Sequence, residues 1–168
     1  MKRLCLLLMA CAACASHPTP TTQGPDATRQ RCSSFAASDV SAATVERLAH
    51  ASNLIDYENA WKAEHPGTVT GTISGTNVRS LIHSKLSEVQ GCYAAVMGDA
   101  SDGGGRVVVR FVIDEGGRVA TAHVGANSFG TPEVGCCLVQ RVGSWKFPKP
   151  TQGFVSVEYP FTVRFSHR

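Results

Sequence analysis

Gly105-Arg106-Val107-Val108-Val109-Arg110-Phe111-Val112-Ile113-Asp114-Glu115-Gly116-Gly117-Arg118-Val119 is the stretch that decides how the chain must be read. Val107, Val109, Phe111 and Ile113 alternate with Val108, Arg110 and Val112, the period of two of a β-strand. Asp114 to Gly117 then supplies a hairpin connection, because glycine reaches the positive φ that tight turns require. Arg118 to Val124 returns as a second strand. The end of the chain repeats the alternation. Val155, Val157, Tyr159, Phe161, Val163 and Phe165 face one way, and Ser156, Glu158, Thr162 and Arg164 face the other, a strand with one wet face. Pro160 falls on the wet side. It donates no ladder hydrogen bond, so this strand is expected at an edge of the sheet or bulged.

Working outward, Val78, Leu81, Ile82, Leu86, Val89, Tyr93 and Val96 recur at helical spacing after Asn77, a plausible cap, and stop at Gly98-Asp99. Asp102 to Gly105 reads as a turn. A second helix starts at Thr131-Pro132-Glu133, with Thr as cap and Pro at the first helical position. Val134, Cys137, Leu138, Arg141, Val142 and Trp145 form its stripe, and Phe147-Pro148-Lys149-Pro150 ends it. Each helix has one apolar stripe and the sheet one apolar face. The expected fold is therefore α+β over residues 73–166, with two helices packed on one face of a three-stranded antiparallel sheet in the order α-β-β-α-β. An N-terminal helical segment, residues 39–66, precedes it. Asp39 or Ser41 caps that segment, Val45, Leu48, Tyr57 and Trp61 carry a partial stripe, and His65-Pro66-Gly67 stops it. Residues 67–76 read as a linker or a short edge strand.

The N-terminus points to export. Met1-Lys2-Arg3 is basic, Leu4 to Ala10 is apolar and far shorter than a membrane span, and small residues lead into cysteine. Residues 1–13 read as a signal peptide. Small residues running straight into cysteine resemble a bacterial lipoprotein signal, which implies acylation of Cys14, with Cys11 as the alternative. Residues 14–38, with Pro18, Pro20 and Pro25, read as a flexible tether. An exported, lipid-anchored protein of the periplasm or outer membrane is oxidised, so its other cysteines are expected to pair. Cys92 and Cys137 lie on the stripes of two neighbouring helices, which predicts a Cys92–Cys137 disulfide. Cys136 is rotated by about 100° from Cys137, which leaves Cys32 as its partner. The crossed pairing, Cys92–Cys136 with Cys32–Cys137, stays open.

Charge and chemistry narrow the function. The net charge of +3 includes Lys2 and Arg3, so the exported chain is near +1, no basis for nucleic-acid binding. Adjacent Cys136-Cys137 lacks zinc-ligand spacing. His83 reads as a surface or boundary residue and His123 as a partly exposed sheet residue. Asp114 and Glu115 sit in a turn, Gly103 to Gly105 lead into a strand rather than a helix, and Asp99 with Asp102 do not match a calcium loop. The reading assigns no catalytic residue, cofactor, metal or small-molecule substrate.

Cys92-Tyr93, the strand from Gly105 to Ile113, Gly117 and Val119, Cys137 eight residues before Trp145, Trp145-Lys146-Phe147-Pro148 and Tyr159-Pro160-Phe161 follow one another in a set order. This pattern resembles the C-terminal domain of gliding-motility-associated (AgmX/PglI-type) proteins, a family similar to the TonB C-terminal domain. The resemblance covers about residues 73–166, with Cys136 as an extra cysteine. It implies a non-enzymatic envelope module that binds another envelope protein by strand addition, in motility or envelope transport. The candidate edge is the last strand, with Val155, Val157, Glu158, Tyr159, Thr162 and Arg164, and with Arg110, Glu158 and Arg164 on its wet face. The alternatives are a structural lipoprotein packed into a larger complex through residues 39–64, or a small secreted enzyme or inhibitor.

Overall fold

The structure, a computed structural model, describes residues 34–98 and 103–165. In chain order the elements are β1 (Ser34–Ala36), α1 (Ala42–Ala49), α2 (Leu54–Glu64), α3 (Gly75–Ser84), α4 (Leu86–Met97), β2 (Gly103–Ile113), β3 (Val119–Asn127), α5 (Pro132–Ser144) and β4 (Val155–Phe165). The protein is α+β. Its sheet is antiparallel throughout, in the order β1-β3-β2-β4. The expected succession of helix, strand, strand, helix and strand is found from α4 to β4, inside a larger arrangement.

β2 holds the sheet together. Val107, Val109, Phe111 and Ile113 face the main core with Val89, Tyr93, Val134, Leu138, Val142 and Trp145 from α4, α5 and the residue that follows it. Burying each such side chain stabilises by about 1.5–3 kcal/mol. The hairpin to β3 closes where the Gly117 N–H donates to the Asp114 carbonyl at 2.8 Å, and Gly117 takes φ 81°. β3 carries two register shifts against β2. Gly125 and Ala120 are the extra residues, because Val108 and Val109 pair with Ala126 and Val124, and Val112 and Ile113 with Thr121 and Val119.

Four expectations are corrected. The sheet has four strands, not three: Ser34–Ala36, read as tether, pairs with β3. It is held there because the Phe35 ring lies over Gly143 of α5, where an added Cβ would come within 2.3 Å of it. Gln140 also donates to the Ser34 carbonyl at 3.0 Å. The helix expected from Asn77 to Gly98 is two helices. Ser74 caps the first, accepting from the Asn77 N–H, and the chain bends at Lys85. The glycines read as a turn, Gly103 to Gly105, begin β2. The sheet face read as wet is covered by α1 and α2, whose Leu48, Tyr57 and Trp61 form a second core with Val112, Ala120 and Phe154. Thr70, read as linker or edge strand, makes one parallel bridge to Phe154. No helix among the described residues is long and apolar enough to cross a membrane.

Cys92 of α4 and Cys137 of α5 form a disulfide with Cα atoms 5.6 Å apart. It closes a loop with a sequence separation of 45. The Cys92→Ala/Cys137→Ala variant is expected to lose about 2–4 kcal/mol of stability. Urea denaturation under non-reducing conditions measures this; a midpoint unchanged from the parent would refute it.

Candidate functional site

β4 is an end strand, paired with β2 from Val155 to Phe165 and facing away from the sheet on its other side. In an antiparallel ladder the backbone N–H and C=O of alternate residues point to opposite sides. At Phe154, just before β4, the outward side is already used. Its N–H donates to the Val69 carbonyl at 3.1 Å, and its carbonyl accepts from the Gly71 N–H at 2.7 Å. The same parity turns the backbone groups of Ser156, Glu158, Pro160, Thr162 and Arg164 outward. Among the described residues, no other backbone group meets them on that side. Pro160 opposes Val108 without interrupting the register, because its missing N–H falls on the outward side.

A groove of about 360 Å³ runs beside this edge, between β4 and the bend from α3 to α4. Ile82, Leu86 and Val89 line its helical wall, and the stretch from Tyr159 to Arg164 lines the strand side. Leu86 continues the apolar spacing of Val78 and Ile82, yet it is 44% exposed, since the bend at Lys85 tips it out of the core. The walls are fixed from behind. Tyr93 donates to the Phe161 carbonyl at 3.3 Å, and Trp145 Nε1 donates to Glu88 Oε2 at 3.0 Å. The Trp145 and Phe161 rings meet edge-on at 6.3 Å. The disulfide ties α4 to α5.

The structure places the residues singled out in the sequence as follows. Val155, Val157 and Tyr159 are half-buried, and the latter two pack against the main core. Thr162 and Arg164 are exposed. Glu158 is committed to Arg110, whose Nε donates to Oε2 at 2.7 Å. Arg110 itself is not on a wet face. Its side chain is 12% exposed and also donates to the carbonyls of Ala51 at 2.8 Å and Ser52 at 2.9 Å, between α1 and α2. Cys136 is disulfide-bonded. Its expected partner Cys32 and the candidate lipidation sites Cys14 and Cys11 lie outside the described residues.

The groove and the Arg110 cluster were missed in the sequence. So was the setting of His123, expected to be partly exposed and found 4% exposed. Its Nε2 lies 3.0 Å from the Val45 carbonyl, so that nitrogen carries the hydrogen, and Nδ1 accepts from the Tyr57 hydroxyl at 3.0 Å. Burial raises the Tyr57 hydroxyl well above the ordinary phenol range. With both ring nitrogens engaged, His123 serves to hold α1 and α2 against the sheet.

Burial pushes the His123 imidazole down from 6.5 to about 4, opposed in part by the bond to Val45. The unfolded chain therefore binds a proton that the folded chain refuses between those values. Stability from this group is full above pH 6.5 and falls as pH drops toward 4, by up to about 3 kcal/mol. Denaturation midpoints followed between pH 7.5 and 4 should show this loss, and His123→Gln should flatten it. An equal slope in the variant would refute the assignment.

No family model, curated protein or solved structure matches the chain.

Proposed function

We propose that the protein is a non-enzymatic lipoprotein of the cell envelope that holds another envelope protein by strand addition along β4. The observation that carries this reading is the row of outward backbone groups from Ser156 to Arg164, flanked by the groove. Strand addition draws affinity from main-chain hydrogen bonds and specificity from pockets for alternate side chains. The chain uses the same device internally, where Val69 to Gly71 lie alongside Phe154. The other end strand, β1, is three residues long and offers a much shorter template. Acylation of Cys14, with the following tether, would place this edge within reach of partners near a membrane. Leu48, Tyr57 and Trp61 of α1 and α2 are spent on their own sheet, while Ile55 of α2 is exposed and stays available to the alternative of assembly through residues 39–64.

The reading is tested with an end-blocked peptide of alternating valine and threonine, labelled with fluorescein. Binding should protect the amides of Ser156, Glu158, Thr162 and Arg164 from hydrogen exchange. Thr162→Pro removes an outward donor while leaving the β2 ladder intact, so it should weaken binding about tenfold, as expected for one or two lost hydrogen bonds, with little change in Tm. Protection confined to other elements, or no binding, would refute strand addition at β4. Mass spectrometry of the exported protein should find an acylated Cys14 at its N-terminus; an intact Met1 would refute the anchor.

A further inference from the structure

The groove beside β4 has a one-sided charge. Arg79 and His83, one turn apart on α3, are exposed, and His83 lines both the groove and the adjoining hollow that contains Arg79. Arg164 closes the strand side. Among the described residues, none of the three makes an ion pair. No carboxylate among the described residues lines the groove. Among the described residues, the carboxylates of α4 and β4 are committed elsewhere, Glu88 to Lys85 and Trp145, and Glu158 to Arg110. The groove thus joins an apolar wall of Leu86 and Val89 to Arg164, with Arg79 in the adjoining hollow, and neither arginine has an ion-pair partner among the described residues.

We propose that the segment received beside β4 is acidic, with apolar side chains against Leu86 and Val89 and a carboxylate at the Arg164 end of the groove. This rests on the strand-addition reading and names its partner class. In an added strand every second side chain turns toward the helices, next to Tyr159, Phe161 and Val163. Those positions meet Leu86 and Val89 and favour apolar residues. The alternate side chains turn to the opposite face, where Thr162 and Arg164 stand exposed, and there a carboxylate gains from the Arg164 guanidinium while an uncharged residue does not. Charge at a rim of this kind acts on selection of the partner and on the encounter rate more than on total affinity.

Two fluorescein-labelled, end-blocked peptides test this on the full-length protein at low salt. One alternates valine with glutamate, and the other carries glutamine in place of each glutamate. The glutamate peptide should bind about tenfold more tightly, with the difference shrinking as salt is raised. The Arg79→Gln/Arg164→Gln variant should abolish the preference, and Arg118→Gln, away from the groove, should retain it. Equal affinity for the two peptides, or a preference that survives the double variant, overturns the acidic-partner inference and leaves strand addition standing. Binding of neither peptide overturns both. A dimer by sedimentation that Thr162→Pro dissociates assigns the edge to a second copy of the chain and overturns the inference as well.

Discussion

Everything in this fold depends on the burial of β2 on both faces. Val107, Val109, Phe111 and Ile113 press into the core beneath α4 and α5, while Val112 is covered from the other side by α1 and α2. A strand sandwiched this way must satisfy every polar group it carries, because water does not reach it. Arg110 is the test of that demand. It stands in the middle of the strand and distributes its donors to Glu158, Ala51 and Ser52. The extra residue in β3 that accommodates it is Gly125, where an added Cβ would come within 3.0 Å of the guanidinium carbon. Bulge, arginine and the turn between α1 and α2 form one unit.

The same logic governs His123, which stands directly across the ladder from Arg110. An imidazolium there would be buried and would lie beside a guanidinium on the same face. The neutral ring avoids both costs and uses its two nitrogens to draw α1 and α2 onto the sheet. The helical layer on this face is therefore held by apolar packing of Leu48, Tyr57 and Trp61 and by a short polar seam of Arg110, His123 and Tyr57.

The other face is organised around the bend at Lys85. A continuous helix would carry Leu86 into the core one turn after Ile82. The bend instead leaves Leu86 at the lip of a groove whose far wall is the end strand. α4 is held in place by the disulfide to α5, and Phe161 by the rings and hydroxyl behind it. A preformed groove beside an unpaired edge spares a binding partner much of the ordering cost that association otherwise carries. It also separates the two sides of β4, a rigid ladder toward β2 and open backbone groups toward solvent.

Several of these features were legible in the residues alone. The alternations in 105–113 and 155–165, the hairpin at Gly117, the Thr131-Pro132 helix start and an edge position for the Pro160 strand all follow from local periodicity and backbone chemistry, which act over a few residues. The stripes that carry Cys92 and Cys137 were legible for the same reason. What only the tertiary structure decided is which segment covers which surface. Arg110, Glu158 and His123 occupy the polar positions of their strands, and a polar side chain satisfied by Ala51, Ser52 or Tyr57 has the same sequence signature as one satisfied by water. The docking of Ser34–Ala36 likewise depends on distant partners, Gly143 and Gln140. Sequence periodicity specifies the apolar face of an element, and only the folded chain specifies what lies against it.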